Sequence, residues 1–386
     1  MGRPVTGRRV AYVTGTRADF GLAEQMLHRV HGHPGLELRL IVTGMHRVAA
    51  FGNTEALVER SGLPIGARVD MLLAGDGCRA MATGIGVGII GIAQAMEFLA
   101  PDVVLLLGDR GEMLAGAIAA IHLGIPVAHC HGGEVSGTID ESVRHAISKL
   151  AHVHFASTAR SAERLIRMGE RPDSVFVTGA PGLDAVVATP PPARDALAAD
   201  YGLEPALPWA VVVYHPDTVS GDSAAEIDEV VSALETYDGQ LAVFEPNADA
   251  GRQPIVDRLD KLRQRPGTIV LRNAPRQDFL GLLAHAQLMV GNSSSGIIEA
   301  PSLGVPVVNV GKRQDLRERG DNVLDVPAER HAIADAVLRA CADQAFQERV
   351  RRRRNPYGDG LAGERIAARL AELALGPGLL EKRLTY

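Results

Sequence analysis

At 386 residues the chain is long for one hydrophobic core, so two domains are the default expectation. Hydrophobic residues make up 46% and charged residues 22%, with a formal net charge of -6, which is the balance of an ordinary globular protein and gives no ground for nucleic-acid binding. Cys78, Cys130 and Cys341 are too few and too scattered for a disulfide framework or a zinc site, and no continuous 18-residue apolar run or signal-peptide core is read, so a cytoplasmic protein without a membrane partner or a metal is expected.

From the first residues onward, short β-branched runs alternate with helical periods. Strands are predicted at Val10–Thr14, Glu37–Thr43, Val103–Leu107, Ile125–Ala128, His154–Ala156 and Val175–Thr178, with helical stretches at Leu22–Val30, Met113–Leu123 and Glu141–Leu150. Continuous apolar strands between amphipathic helices imply a parallel sheet covered on both faces. This pattern defines a first domain over residues 1–188. Prolines at 190–192 and again at 205 and 208 break it, and residues 189–208 read as a linker. The rhythm restarts at Ala210–Tyr214, Leu241–Phe244, Thr268–Leu271, Leu288–Val290 and Val305–Val310, giving a second domain over 209–360. Residues 361–386 open with a helical stretch, Leu361–Leu375, that is a candidate to cross back to the first domain. The six residues from Arg349 to Arg354, five of them arginine, read as a solvated helix face. The fold class is α/β, with two Rossmann-like domains.

In open α/β sheets, ligands bind beyond the carboxyl ends of the strands. Gly108-Asp109-Arg110 follows one such strand. His129-Cys130-His131-Gly132-Gly133-Glu134 follows the next, with Asp140-Glu141 close behind. Asp109, His131, Glu134 and Asp140 are therefore the acid–base candidates, with Arg110 beside them. An aspartate after an apolar strand is costly unless it is paired or functional. The competing structural reading makes Asp109-Arg110 an ion pair and Asp140 a helix cap. The glycine pair beside His131 would let a ligand approach. His129 and His131 would point to opposite faces if the strand continued, so only one would reach the site. Arg144 and His145, on the following helix, are secondary candidates; His152 and His154 read as structural.

In the second domain, Gly291-Asn292-Ser293-Ser294-Ser295-Gly296 follows a strand and opens a helix ending near Leu303. Small hydroxyl residues and glycines there present donors to an anion. They are also common helix caps. Glu299, one turn on, could accept hydrogen bonds from a ribose diol. His215, Asn247 and Arg313 lie at the same edge, and the convergence points to phosphate or nucleotide binding. In the first domain, Thr14-Gly15-Thr16-Arg17-Ala18-Asp19 also links a strand to a helix, but it is neither Gly-x-Gly-x-x-Gly nor a Walker loop. Arg17 suits a bidentate phosphate contact. The alternative is that Asp19 caps the helix and Arg17 pairs with a surface acid.

Taken in order, these segments resemble the hydrolysing UDP-N-acetylglucosamine 2-epimerases, the sialic-acid-pathway branch of the wider 2-epimerase family. The resemblance rests on Thr14 to Gly21, Gly44-Met45-His46, Phe51-Gly52, Gly108-Asp109-Arg110, His131-Gly132-Gly133-Glu134 and Asp140 with Arg144 to Lys149. The second domain adds His215-Pro216, Asn247 to Gly251, Gly291 to Gly296, Glu299 and Arg313, and Tyr357 to Gly360 closes the set. It implies a GT-B-type arrangement with the active site in the interdomain cleft, no cofactor, a UDP-sugar as ligand, a homodimer or homotetramer, and no kinase domain of the sort fused to the animal enzymes. It also implies a reaction: UDP-N-acetylglucosamine and water give N-acetylmannosamine and UDP, by elimination to a 2-acetamidoglycal and rehydration. A 2,4-diacetamido-6-deoxy sugar on UDP, or a GDP-linked sugar, would be handled by the same chemistry. A GT-B glycosyltransferase or a nucleotide-sugar sensor would share the fold.

By the same resemblance, Asp109 and Asp140 are the acid–base pair. Arg17, Asp19, His215, Asn247, Ser293, Ser294, Ser295, Gly296, Glu299 and Arg313 hold the nucleotide, and His46, Arg144 and His145 face the sugar. The family often has its third catalytic acid where this chain has His131. Either His131 takes over the proton, or Glu134 does.

Overall fold

The computed structural model describes residues 7–48, 54–73, 78–136, 139–216, 223–246, 252–272 and 274–386. The chain forms two parallel-sheet α/β units: Met1–Glu134 with Asp140–Ala188 and Tyr357–Tyr386, and Val135–Ile139 with Thr189–Pro356.

The first unit is built on β1 (Arg8–Thr14), β2 (Leu36–Val42), β3 (Ile65–Arg68), β4 (Val103–Leu107), β5 (Val127–Cys130), β6 (Val153–Ala156) and β7 (Val175–Val177), in the spatial order β3-β2-β1-β4-β5-β6-β7. Among the described residues, every strand pairing in this sheet is parallel. The strand order reverses between β1 and β4, and that switch point is where the carboxyl ends open a ligand crevice. The central strands are buried on both faces, which explains their uninterrupted apolar sequence. One core layer gathers Tyr12, Met26, Leu38, Leu105 and Phe155 with Ile366 and Leu370. The helix Ala362–Glu372 thus belongs to the first unit. Asp184 ties its start, its carboxylate accepting from Ala362 N at 2.9 Å and Gly363 N at 2.6 Å.

The second unit repeats the design with β8 (Trp209–Val213), β9 (Gln240–Phe244), β10 (Thr268–Leu271), β11 (Leu288–Gly291), β12 (Val307–Val310) and β13 (Val323–Val326), ordered β10-β9-β8-β11-β12-β13. Its switch point lies between β8 and β11. Gly291 makes that junction possible. At φ 138° it lies against β8 so closely that a Cβ would fall 1.9 Å from the Val213 carbonyl oxygen. Within the proline-rich stretch 189–208, Arg194–Tyr201 is a helix that buries Leu197 and Ala198.

Three features depart from the sequence reading. The edge strands β3 and β13 are only partly buried and lack a continuous apolar run. The predicted strand Ile125–Ala128 is shifted to Val127–Cys130, which carries the sheet up to His131. The third is the helix Cys78–Leu99, whose glycines obscure it in sequence because glycine is a poor helix former. Two of them are packing devices: a Cβ on Gly91 would meet Val69 at 2.5 Å, and one on Gly88 would meet Met71 at 2.8 Å. Its Arg79–Leu99 portion is long and apolar enough, by length and composition, to cross a membrane, which corrects the expectation of no such segment. The helix packs Ile92 and Met96 against Ala115 and Ala119 of the first unit's core, while Met81, Ile90 and Phe98 stay exposed.

Candidate active site

Adjacent strands β4 and β5 bring the Gly108–Arg110 loop beside the His131–Glu134 turn. The helix Ile139–Leu150 closes the group, and its Arg144 is the hub. Arg144 is 2% exposed; its Nη2 pairs with Asp109 Oδ2, and its Nη1 donates to the Glu134 carbonyl oxygen at 3.0 Å. Burial works against the guanidinium charge, but Asp109, Glu134 and Asp140 together more than offset it, so its pKa is raised. The three acids picked from sequence therefore surround one buried cation. Arg110 donates to Glu112, at 3.3 Å, while Asp109 is held by Arg144.

The two histidines of β5 separate cleanly. His129 stays in the strand, fully buried, and contacts the Gly108 carbonyl oxygen through Nε2 at 2.7 Å and Ser148 Oγ through Nδ1 at 3.2 Å. Burial pushes its pKa down to about 3, so the ring is neutral and props the Asp109 loop. His131 leaves the strand at φ 65°, a left-handed conformation that costs about 1–3 kcal/mol for a non-glycine residue. Its Nδ1 lies 2.6 Å from Glu134 Oε1 and 3.0 Å from Ser157 Oγ.

The glycine pair, read from sequence as room for a ligand, is enclosed by protein. A Cβ on Gly133, at φ 75°, would fall 2.2 Å from the Ser161 carbonyl oxygen, and one on Gly132 would meet Ser148 Oγ at 2.9 Å. The glycines let the turn close on its neighbours.

At the end of β1, Asp19 completes a capping box with Thr16 and also accepts from Gly15 N at 3.1 Å and Thr16 N at 2.6 Å. Burial raises its pKa to about 6. Its carboxylate shapes the loop that carries Arg17, a half-buried residue whose pKa burial lowers. His46, fully buried, has Nε2 3.1 Å from Thr14 Oγ1 and Nδ1 2.9 Å from Thr54 Oγ1, so both ring nitrogens meet protein hydroxyls. Glu112, which the sequence reading passed over, is buried where a Cβ on Gly15 or Gly44 would strike it at 2.6 Å. His145 lies 3.6 Å from Glu141 on its own helix.

In the second unit, Asn292 clasps His215 by both backbone groups: its Oδ1 accepts from His215 N at 2.7 Å and its Nδ2 donates to His215 O at 2.9 Å. Burial holds the His215 ring neutral, with its pKa near 3. Arg313 and Gln314 both donate to the Asn292 carbonyl oxygen, at 3.2 and 2.9 Å. Ser293 caps the short helix Ser294–Ile298 and lies 2.7 Å from Ser295 Oγ; Ser294 is half-buried, and Gly296 packs on Val307. Glu299 is buried and paired with Arg276 at 2.8 Å. Asn247 lies outside the described residues, as do Phe51 and Gly52. Arg276, Gln314 and Ser157 reach these positions from separate elements, and no local spacing announces them. Among the described residues, no cluster of His, Cys, Asp and Glu side chains could hold a metal ion.

Comparison with known proteins agrees with this architecture. The family profile described as UDP-N-acetylglucosamine 2-epimerase matches residues 28–371. The chain is 43% identical over 380 residues to the UDP-N,N'-diacetylbacillosamine 2-epimerase (hydrolyzing) of Legionella pneumophila, covering 98% of this chain and 100% of the relative. It is 36% identical to the UDP-N-acetylglucosamine 2-epimerase of Neisseria meningitidis, over 88% of this chain and 89% of that one. Among solved structures, a Neisseria meningitidis UDP-GlcNAc 2-epimerase bound to UDP-GlcNAc superposes with a TM-score of 0.81 at 20% identity, covering 95% of this chain and 100% of the other, which shows a shared GT-B-like fold.

Proposed function

Since the chain belongs to the UDP-N-acetylglucosamine 2-epimerase family, we propose that this enzyme is a hydrolysing 2-epimerase of a UDP-linked 2-acetamido sugar. The observation that carries this reading is the buried Arg144 with Asp109, Glu134 and Asp140 around it at the ends of β4 and β5. The C2 proton of such a sugar is not acidic, so departure of UDP from C1 leads, and positive charge grows at C1. Carboxylates near the ring stabilise that charge while an acid–base group removes the C2 proton. The C1–O bond breaks, its electron pair leaves with UDP, and a 2-acetamidoglycal forms. Water then adds at C1 and a proton returns to C2 from the other face, giving a free N-acetylmannosamine-type sugar.

Asp109 and Asp140 are acid–base residues in this reading, and His131 or Glu134 is the third group at the centre. Arg17, His215, Ser293, Ser294 and Arg313 hold the diphosphate, and Glu299 holds the ribose. Neutralising the diphosphate is itself catalytic, because its charge grows as the bond breaks. The higher identity and fuller coverage of the match to the diacetylbacillosamine 2-epimerase favour the 2,4-diacetamido-6-deoxy sugar over N-acetylglucosamine. The protein is further proposed to be cytoplasmic and to form a homodimer or homotetramer; the assembly is supported by Met81, Ile90 and Phe98, exposed at 64%, 63% and 83% on the helix Cys78–Leu99.

The test is incubation with each UDP-sugar in heavy water, followed by proton NMR. Release of UDP and free sugar carrying deuterium at C2 is expected. A product still linked to UDP, or substrate left unchanged across the panel, would overturn the reading. Light scattering on a sizing column checks the assembly.

A further inference from the structure

The left-handed turn at His131 presents the imidazole in one defined way. A carboxylate can only accept, so the 2.6 Å contact from Glu134 Oε1 requires the proton on His131 Nδ1. Ser157 Oγ, 3.0 Å from the same nitrogen, adds a second oxygen on that side. Nδ1 thus carries the ring hydrogen, and the free lone pair lies on Nε2. That atom is buried and has no hydrogen-bond partner among the described residues, although buried polar atoms are nearly always satisfied. The turn is fixed from several sides. His131 N donates to the Phe155 carbonyl oxygen at 3.2 Å, Arg144 donates to Glu134 O, and Arg164 donates to Gly133 O.

We propose that His131 is one of the two groups that exchange a proton with C2 of the sugar, through Nε2, and that Glu134 is a positioning residue that fixes the ring as the Nδ1–H tautomer. This rests on the 2-epimerase reading above. Inversion at C2 needs one group to take the proton and another to return it on the opposite face; His131 supplies one face and a carboxylate of the Asp109–Asp140 pair the other. The neutral ring takes the C2 proton onto Nε2 as the C1–O bond electrons leave with UDP, or, on the opposite face, the charged ring gives the proton back. The charged groups around the turn are Glu134 itself, Asp109 after β4, Arg144 and Asp140 from the helix Ile139–Leu150, and Arg164 from the helix Ala159–Arg167.

Three variants test this. His131→Asn tolerates the left-handed backbone, and Glu134→Gln is isosteric, so circular dichroism and melting temperature report whether each folds. His131→Glu restores a carboxylate. With wild-type enzyme that turns over, His131→Asn should lose at least about a hundredfold in kcat, the usual scale for an acid–base group, while UDP affinity measured by calorimetry stays within threefold. Glu134→Gln should lower kcat more than KM and move the pH profile, because a neutral amide no longer stabilises charge on the ring and can either accept from or donate to Nδ1, so neither tautomer is fixed. In the His131→Glu background the same Glu134→Gln change should have little effect, since no tautomer remains to be fixed. Nitrogen-15 NMR of the resting protein should show His131 protonated at Nδ1, independently of any substrate. Near-wild-type turnover by folded His131→Asn, a resting ring protonated at Nε2 instead, or an unmoved pH profile in Glu134→Gln would overturn the assignment. Failure of the wild-type enzyme to release UDP from any sugar of the panel would overturn the 2-epimerase reading instead, leaving the tautomer measurement to stand or fall separately.

Discussion

Asn292 holds His215 by both of its backbone polar groups, accepting at 2.7 Å and donating at 2.9 Å, across the junction where the second sheet reverses its strand order. A side-chain amide thereby does the work of a strand at the point where β8 and β11 stop pairing. Arg313 and Gln314 then anchor to the Asn292 carbonyl oxygen. Three polar residues at this edge, His215, Arg313 and Gln314, are positioned through one asparagine.

Replacing Asn292 with alanine strands the His215 amide and carbonyl together. Each buried group left unsatisfied costs about 1–3 kcal/mol, and partial rehydration puts the expected loss near the bottom of the summed range, about 2–3 kcal/mol. UDP affinity measured by calorimetry should weaken about tenfold or more. Unchanged UDP affinity in a variant that melts lower would show that the clasp serves the fold alone.

Arg144 stands in the same relation to the first unit. Removing one partner of a buried ion pair costs about 3–5 kcal/mol, and the 24% exposure of the Asp109 side chain places Arg144→Met at the lower end. Arg144→Lys keeps the charge but cannot reach both Asp109 and the Glu134 carbonyl with a planar fork, so urea denaturation should find it intermediate. Asp109→Asn keeps the volume and removes the charge. Its turnover should fall at least about a hundredfold while UDP still binds. An Asp109→Asn enzyme with wild-type turnover would remove Asp109 from the chemistry.

The placement of Asp109 and Glu134 is legible because each lies within a few residues of the end of a buried strand, and Asp140 opens the helix that follows. Adjacency of β4 and β5 does the rest. What brings them together was not readable: Arg144 reaches Asp109 across 35 residues of sequence, and nothing in local spacing separates a buried hub from a surface arginine. The roles of Gly132 and Gly133 are hidden from the sequence for a related reason. A glycine is needed wherever backbone or a ligand comes close, and here Ser148 and Ser161, distant in sequence, fill the space. The edge strands β3 and β13 and the glycine-rich helix Cys78–Leu99 escaped because half-buried or glycine-bearing elements lack the periodic signal that the central strands supply.

Stability should fall as the medium is acidified from neutrality. His46, His129 and His215 are held neutral by burial, with folded pKa values of about 4, 3 and 3, against about 6.5 in an unfolded chain. Between those limits the unfolded state binds more protons. The stabilisation is therefore complete above pH of about 6.5 and is lost progressively as pH falls toward the folded values. Asp19 and Asp184, pushed up to about 6 by burial, act in the opposite sense between pH of about 4 and 6, because there the folded state binds the proton. Three rings outweigh two carboxyls. Urea midpoints should drop from pH 7.5 to pH 5; a flat or rising midpoint would contradict the burial of these imidazoles.

The last turns of the chain secure the other end of the helix that carries Arg144. Lys382 pairs with Glu170 at 2.7 Å and donates to the carbonyl oxygens of Ser148, at 3.0 Å, and Ala151. A cation at a helix carboxyl terminus is stabilising, and here it satisfies end-of-helix acceptors as well. Burial alone would raise the pKa of Glu170, but hydrogen bonds from His154, Lys149 and Lys382 bring it down to about 2. Lys382→Met keeps the apolar stem and deletes the charge, leaving Glu170 with Lys149 and His154. The expected loss is about 1–2 kcal/mol, with an acid limb of unfolding moved to higher pH because the folded Glu170 is less depressed. Amides in the last two turns of Ile139–Leu150 should exchange with solvent faster in the variant. Turnover should fall severalfold through looser placement of Arg144 and, with it, Asp109. Faster exchange with unchanged turnover would confine Lys382 to stability. Unchanged exchange would show that the helix end is fixed by Lys149 and the surrounding core without help from the chain terminus.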